Sequence, residues 1–272
     1  MTRRRYELTD HEWSILSPLL PNKPRGVPRV DDRRVMNGIL WRFRTGSPWA
    51  EVPERYGPPT TCYNRFVRWR KAGVWDRLLE AVSSAYDGDI VMIDSTCVRV
   101  HQHAANGKKG DGYDGGMGGA DKGSGDLQDR WNGCVGRSRG GLTSKIHALV
   151  DAEGRPVTLR LTGGQVADCT EADALTDDLG EGDILLADKG YDSNAIRAKA
   201  AERKAWANIP PKTNRKGTFS FSRWVYRQRN LVERFFNRIK QFRGIATRYD
   251  KRPENYLAAV KLVAAKIWCQ SL

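Results

Sequence analysis

The segment from 226 to 242 has the clearest helical pattern of hydrophobic and polar positions in this chain. Its apolar positions, spaced by three or four, are Leu231, Phe235, Ile239 and Phe242. Its polar positions, spaced by three, four and seven, are Tyr226, Arg229, Glu233 and Lys240. At about 3.6 residues per turn, each set forms its own stripe on one helix. The pattern predicts an amphipathic helix that packs on a core and presents Arg, Glu and Lys to an anionic partner, for which phosphate is the obvious candidate.

Two apolar runs further upstream each end in an aspartate. Asp94 closes Asp-Ile-Val-Met-Ile-Asp, and Asp188 closes Asp-Ile-Leu-Leu-Ala-Asp. These runs predict strands at about 89–94 and 183–188. Two aspartates at strand ends, together with Glu233 on a helix, indicate a metal site. Taken singly, each has a plainer interpretation, because a strand-end Asp often caps a turn and Glu233 can pair with Arg229 at i,i+4.

The pattern between and after these strands predicts a mixed α/β region. Strands at about 143–151 and 156–162 flank an Asp151-Ala-Glu-Gly154 turn and form a hairpin. The remaining predicted elements are a helix over 171–179 capped by Thr170, a helix from Ser193 to about 204, a strand at 206–209, and the amphipathic helix beginning near Ser222.

The N-terminal region predicts helices only. Thr9 and Glu12 have the spacing of a capping box, a second helix is expected over about 31–43, and Thr60 or Thr61 can cap a third. We interpret these as a helix-turn-helix. On the third helix we expect an inward side with Tyr63, Phe66, Val67, Trp69 and Trp75, and an outward side with Asn64, Arg65, Arg68 and Arg70. An outward side of this kind can enter a DNA major groove. The tryptophans are also explained as plain core residues.

The stretch from 104 to 139 is crowded with glycine, including Gly115-Gly-Met-Gly-Gly119. Such a composition buries little apolar surface, so we expect a mobile loop. A glycine-rich phosphate cradle requires a strand before it and a helix after it, and neither flank fits.

Charge is distributed unevenly along the 272 residues, whose overall net charge is +14. Residues 1–75 carry a net +8, residues 76–196 a net −9, and residues 197–252 a net +14. The basic flanks suit a polyanion, and the acidic centre suits a site that concentrates divalent cations. Solvated charged faces are the alternative.

The five cysteines contain no CxxC pair, which favours free thiols and argues against a structural zinc site. No run approaches the roughly 18 apolar residues of a membrane span, and the N-terminus lacks the apolar core of a signal peptide. We therefore expect a cytoplasmic protein without membrane association.

On these residues the chain resembles the DDE transposases of bacterial insertion sequences, in the insertion-sequence family numbered five. The spacing from Tyr226 through Arg229 and Glu233 to Lys240 matches the Tyr-Arg-Glu-Lys branch without a gap. The other matching motifs are Ile-Asp94-Ser-Thr, Gly-Gly-Leu-Thr-Ser-Lys145-Ile-His147, Ala-Asp188-Lys-Gly-Tyr-Asp192, Ser-Pro-Trp49, Tyr63-Asn-Arg-Phe and Arg68-Trp-Arg-Lys-Ala-Gly-Val-Trp75.

The resemblance implies a fold, a cofactor and partners. It implies an RNase H-like (retroviral-integrase-like) α/β catalytic domain at 88–272 and a small all-α helix-turn-helix DNA-binding domain at 1–80. Asp94 would bridge two Mg²⁺ ions, which Mn²⁺ can replace, while Asp188 and Glu233 each hold one. The expected DNA contacts are Asn64, Arg65, Arg68, Arg70, Lys145, Tyr226, Arg229 and Lys240.

The resemblance predicts an enzyme that binds the terminal inverted repeats of its element, exposes 3′-hydroxyls and joins them to target DNA. It also implies a homodimer or higher oligomer that pairs two ends, in association with the bacterial nucleoid. Two alternatives stay open: a transposase-derived repressor without catalysis, and an RNase H-like nuclease that cuts without joining.

Overall fold

The structure is a computed structural model that describes residues 6–21, 30–84, 88–105, 134–138 and 140–270. Most of the glycine-rich stretch at 104–139 lies outside these ranges, so its mobility stays a prediction. No helix in the described ranges is both long and apolar enough to cross a membrane.

The strands form a single mixed sheet. They are β1 Ile90–Val100, β2 Gly136–Ser138, β3 Gly141–Val150, β4 Pro156–Gly163, β5 Ile184–Leu186, β6 Trp206–Asn208 and β7 Thr247–Arg248. Antiparallel pairing joins β1 to β3 and β3 to β4, and parallel pairing joins β1 to β5 and β5 to β6. In addition, β2 pairs with β3 and β7 pairs with β1. Three antiparallel strands beside two parallel ones are consistent with the RNase H-like arrangement.

The helices surround this sheet. They are α1 Asp10–Leu16, α2 Asp32–Thr45, α3 Pro59–Lys71, α4 Val74–Ser83, α5 Gln102–Ala105, α6 Ala172–Leu175, α7 Asn194–Glu202, α8 Arg223–Tyr226, α9 Asn230–Lys240, α10 Arg243–Ala246 and α11 Pro253–Cys269. The predicted amphipathic helix is therefore two helices, α8 and α9, joined by a 3-10 turn at Arg227–Arg229. The predicted start near Ser222 is confirmed, and the Ser222 hydroxyl caps α8 by accepting from the amide of Val225.

The two faces of the sheet bury different sets of residues. Met92 of β1 belongs to the larger core, which contains residues of α9, α11 and the N-terminal helices. Ile93, its neighbour, belongs to a smaller core with residues of α6 and α7. This alternation follows from the pleat, in which successive side chains point to opposite faces.

The predicted hairpin is confirmed, and its turn lies against the start of α9. The buried Asp151 carboxylate accepts the amides of Glu153 and Arg155 at 2.9 and 2.8 Å, which closes the turn. Gly154 has a φ of +75°, and a Cβ there would lie 2.9 Å from the carbonyl oxygen of Leu231. Glycine thus allows both the turn and the close approach of α9.

The N-terminal helices pack into the larger core. Thr9 and Glu12 form the predicted capping box, and Asp31 caps α2. The third helix was predicted to begin at a Thr cap, which was wrong: α3 begins at Pro59 without a side-chain cap. Tyr63 was predicted to point inward and is 40% exposed, although its ring lies 5.5 Å from that of Trp49.

The helix-turn-helix and the division into domains at 1–80 and 88–272 stay predictions. Residues 46–58, which connect α2 to α3, contain two 3-10 turns, whereas a helix-turn-helix usually has a connection of only three or four residues. Residues of α1 to α4 share one core with α9 and α11.

Candidate active site

The two aspartates emerge at neighbouring positions of the sheet. Asp94 lies within β1 opposite Ala148 of β3, two residues beyond the point where Met92 pairs with Leu186 of β5. Asp188 lies two residues after the end of β5, and its Oδ1 accepts the amide of Gly190 at 2.7 Å. Because β1 and β5 are parallel neighbours, both acids lie at the same end of the pair. The prediction that the first strand ends at Asp94 was wrong, since β1 continues to Val100.

Glu233 and Asp94 both accept hydrogen bonds from the guanidinium group of Arg229. Arg229 Nη1 donates to Asp94 Oδ2 at 2.7 Å, and Nη2 donates to Glu233 Oε1 at 2.6 Å. Glu233 lies one turn after Arg229 on α9, so the i,i+4 pairing that the sequence allowed is present as well. The Arg229 and Asp94 side chains are only 18% and 19% exposed, which makes their pairing stronger than that of a surface ion pair.

The charges of this group influence one another. Burial raises the pKa of Asp94, and the neighbouring charge of Asp188 adds to this rise. The amide of Ser95 and the charge of Arg229 lower the pKa but do not cancel the rise. Burial alone would lower the pKa of Arg229, but Asp94, Tyr226 and Glu233 act together to raise it. On balance the site favours the charged form of Arg229, whereas burial makes the charge of Asp94 costly even beside this guanidinium.

Lys240 and Tyr226 extend the site along the helix. Lys240 Nζ donates to Thr96 Oγ1 at 2.5 Å, on the same face of β1 as Asp94. Tyr226 is half-buried, and the Arg229 guanidinium lies 5.9 Å from the centre of its ring. The four residues of the Tyr-Arg-Glu-Lys spacing thus lie along α8 and α9 beside β1.

The donor chemistry of the three acids fits a divalent cation, although the acids do not form a ready-made cage. In the described part of the chain, no group of three or more His, Cys, Asp or Glu side chains is arranged to hold a metal ion. Asp94 and Glu233 nevertheless converge on a single cationic group, Arg229. Carboxylate oxygens are the ligands that Mg²⁺ prefers, so a cation that replaces the guanidinium would meet a suitable donor set.

A second group of polar residues lies on the other face of β1. Ser95 Oγ donates to Asp168 Oδ1 at 2.5 Å, and Lys145 Nζ donates to the same oxygen at 2.8 Å and to the carbonyl of Val166 at 2.6 Å. Lys145, predicted as a DNA contact, is therefore a buried partner of Asp168. Asp168 has no signal in the sequence, because its partner Ser95 lies 73 positions earlier and no local pattern connects them.

His147 and Asp192, which the motifs contain, support the fold around the acids. His147 is fully buried with Nε2 2.7 Å from Thr162 Oγ1, and burial lowers its pKa to about 4. Asp192 accepts from Arg197 at 2.9 Å and from Arg215 at 2.6 Å. Burial alone would raise the pKa of Asp192, but these bonds and the amide of Lys212 lower it to about 2.

The predicted DNA-contact residues of α3 differ in exposure. Asn64 and Arg68 are exposed, and Arg70 is half-buried. The predicted exposure of Arg65 was wrong, since this residue is 7% exposed and pairs with Asp32 at the start of α2. Its guanidinium also lies 5.3 Å from the ring centre of Trp69. Arg65 therefore joins two helices, and Arg68 carries the outward charge.

Comparison with known proteins identifies the class. The profile of a family described as "Transposase DDE domain" matches residues 85–267, and that of "Putative transposase of IS4/5 family" matches residues 8–79. The chain belongs to the DDE transposases of insertion sequences. The structure resembles that of a piggyBac transposase in a synaptic complex with hairpin DNA, with a TM-score of 0.50 and 11% identity over 96% of this chain and 70% of that chain.

Two bacterial relatives are similar in sequence. A "Putative transposase for insertion sequence element IS6501" of Brucella ovis is 35% identical over 128 residues, which is 47% of this chain and 98% of that protein. A "Putative transposase for insertion sequence element IS402" of Burkholderia cepacia is 30% identical over 131 residues, or 44% of this chain and 59% of that protein. Both agree with the family assignment.

Proposed function

We propose that this protein binds the terminal inverted repeats of its insertion sequence, cleaves the DNA to expose 3′-hydroxyls and joins these ends to target DNA. The observation that carries this proposal is the convergence of Asp94 and Glu233 on Arg229 beside Asp188, in a chain of the DDE family. Residues 88–272 would form the catalytic domain and residues 1–80 the domain that recognises the ends.

In this proposal Asp94, Asp188 and Glu233 would hold the divalent ions, Mg²⁺ or Mn²⁺. Two such ions, when bound, stabilise the negative charge on the attacking and leaving oxygens of a phosphodiester. Arg229 keeps Asp94 and Glu233 paired until that point. Once freed from the carboxylates, its planar guanidinium is suited to contact the scissile phosphate with two donors.

Lys240 and Tyr226 would hold the DNA on either side of the reacting phosphate. Lys240 is seven residues from Glu233, or about 10 Å along the helix axis, so it reaches phosphates away from the cut. Tyr226, half-buried beside Arg229, can contact a base or a phosphate. We propose that Asn64, Arg68 and Arg70 of α3 contact the ends, and that two protomers pair two ends.

The alternatives differ in the products they allow. A repressor would bind the ends without cutting them, and the presence of all three acids and Lys240 argues against it. A nuclease would cut without forming a new phosphodiester bond with target DNA. Incubating the protein with labelled element ends, target plasmid and Mg²⁺ separates all three, since only a transposase yields strand-transfer products.

Glu233→Gln is the direct test of the active site. It removes one ligand charge without changing the shape of the side chain, so metal-dependent cleavage should fall by more than the roughly 10–100-fold typical of a group that only supports a ligand. Binding to the ends should stay within about twofold, because the side chain keeps its shape and an anion such as Glu233 contributes no attraction to phosphate. Glu202→Gln, an exposed position on α7, is the matched control. Cleavage at the wild-type rate by Glu233→Gln would refute the assignment.

A further inference from the structure

Asp94 is held by a different partner at each of its two carboxylate oxygens. Oδ2 accepts from Arg229 at 2.7 Å, and Oδ1 accepts from the main-chain amide of Ser95 at 2.8 Å. A cation that enters the site would replace the first bond, but not the second. The orientation of Asp94 in the working enzyme therefore depends on how firmly the peptide of Ser95 is held.

The Ser95 side chain is held from the opposite face of β1. The pleat directs Asp94 and Thr96 toward α9, where Arg229 and Lys240 meet them, and directs Ser95 toward the 3-10 turn Asp168–Thr170 that precedes α6. The hydroxyl of Ser95 has one proton, and it donates that proton to Asp168.

Asp168 is itself anchored by a buried cation. Lys145 pairs with Asp168 at 2.8 Å, its side chain is only 10% exposed, and its Nζ also donates to the Val166 carbonyl. Lys145 belongs to β3, which pairs with β1 along the register that includes Asp94. Burying a lysine costs free energy that its attraction to a partner must offset, so Lys145 draws Asp168, whose side chain is 39% exposed, toward this face.

Tyr191 closes the group from the interior. Its side chain is fully buried, and its hydroxyl approaches Ser95 without reaching the geometry of a hydrogen bond. Asp168, Asp94 and Asp188 all lie close enough to act on this hydroxyl, and together with burial they raise its pKa. Tyr191 is therefore a buried, uncharged neighbour of Ser95, and Asp168 is the charged partner to which Ser95 donates.

We infer that Asp168 is a positioning residue for Asp94. By holding the Ser95 hydroxyl, Asp168 fixes the peptide whose N–H holds Asp94 Oδ1, so that Oδ2 can exchange Arg229 for a cation without the carboxylate turning. The inference rests on the proposed function and adds to it a residue outside the three acids. Hydrogen-bond partners of ligating carboxylates are worth about 10–100-fold in metal affinity or activity.

The kinetic test uses the full chain, labelled element ends and Mg²⁺. Asp168→Ala and Ser95→Ala should each lower the kcat of cleavage by about 10–100-fold while leaving the KM for DNA within about twofold. The double variant should be no slower than the slower single variant, since both changes break the same connection. Ser95→Thr keeps the hydroxyl and should restore most of the rate, and Asp168→Asn, which keeps an acceptor oxygen, should be faster than Asp168→Ala.

Asp173→Asn is the matched control, because Asp173 also pairs with a lysine, Lys199 at 2.9 Å, but lies exposed on α6. A second readout needs no DNA: binding of Tb³⁺, followed by its luminescence, should be weakened about 10–100-fold by Ser95→Ala and not by Asp173→Asn. The inference would be overturned if Asp168→Ala and Ser95→Ala cleaved DNA and bound Tb³⁺ as the wild type does. It would also be overturned if Ser95→Thr lost as much cleavage rate as Ser95→Ala. If wild-type protein binds Tb³⁺ but cleaves no ends, the proposed function fails, and the Tb³⁺ series still decides the role of Asp168.

Discussion

At the scale of single residues, Arg229 has the most informative position. The guanidinium holds Asp94 and Glu233 together with bonds of 2.7 and 2.6 Å, although both carboxylates are the proposed ligands of a cation. It supplies the positive charge that three neighbouring acids require in the absence of metal. At the proposed metal site, arginine and a divalent ion would therefore compete for the same oxygens.

We expect Arg229→Gln to lower the free energy of unfolding of the metal-free protein by about 1–3 kcal/mol, because two charged hydrogen bonds are lost. Mg²⁺ should then raise the melting temperature of this variant more than that of the wild type, since no guanidinium has to be displaced. Thermal unfolding with and without Mg²⁺ measures both effects. Arg227→Gln, an exposed position in the same turn, is the control. An equal Mg²⁺-induced shift in Arg229→Gln and wild type would contradict the competition.

His147 should make the fold sensitive to mild acid. Its folded-state pKa of about 4 lies below the usual value near 6.5, so between these pH values the unfolded chain binds a proton that the folded chain does not. Stability should be greatest above about pH 6.5 and fall by roughly 3 kcal/mol as the pH approaches 4. The free energy of unfolding, measured with urea at several pH values in this range, should depend less on pH for His147→Asn than for wild type. His11→Asn, at an exposed site, is the control.

At the scale of elements, α3 combines a structural arginine with an exposed one. Arg65 pairs with Asp32 and lies over the Trp69 ring, whereas Arg68 is exposed beside Asn64 in a shallow groove with Val67 and Lys71. Side chains three apart on a helix usually share a face, and here the packing against α2 determines which of them reaches solvent.

Arg65→Ala should therefore destabilise the fold by about 3–5 kcal/mol, since it leaves a partly buried Asp32 without this partner. Arg68→Ala should leave stability within about 0.5 kcal/mol and lower the affinity for element ends, with about 1–3 kcal/mol of discrimination lost if Arg68 reads a base. Melting curves and fluorescence anisotropy against specific and random duplexes measure the two effects. Equal affinity of wild-type protein for specific and random DNA would rule out base reading by α3.

Local signals predicted many elements, and non-local pairing determined the rest. The capping box at Thr9 and the hairpin turn at Asp151 need only neighbouring residues, and both are confirmed. The continuation of β1 to Val100 was not predicted, because its polar stretch becomes a strand only by pairing with β3. The role of Asp168 was not predicted for the same reason, since its partner Ser95 is distant in the sequence. The assignment of the three acids came from their resemblance to a family, since each alone has a plainer interpretation.

At the scale of the whole molecule, the two ends of the described chain meet in a buried ion pair. Lys266 Nζ in α11 donates to Glu12 Oε1 in α1 at 2.7 Å, and the two side chains are 9% and 3% exposed. Burial alone would raise the pKa of Glu12, but the bonds from Lys266 and the Thr9 amide lower it. The N-terminal helices are thus joined to α11 by charge as well as by the common core.

This connection predicts that the N-terminal helices and the sheet unfold together, even though their functions are proposed to be separate. Lys266→Met keeps the length of the side chain but leaves Glu12 buried without its cation, so stability should fall by about 3–5 kcal/mol. Adding Glu12→Gln removes the unpaired charge and should restore much of the loss. Five of the nine tryptophans lie in residues 1–80, so tryptophan fluorescence is weighted toward the N-terminal helices, whereas far-UV circular dichroism reports on the whole chain. If the chain unfolds as one unit, the urea transitions of the two signals should coincide in each variant. Separate transitions in the wild type would show instead that residues 1–80 fold independently of 88–272.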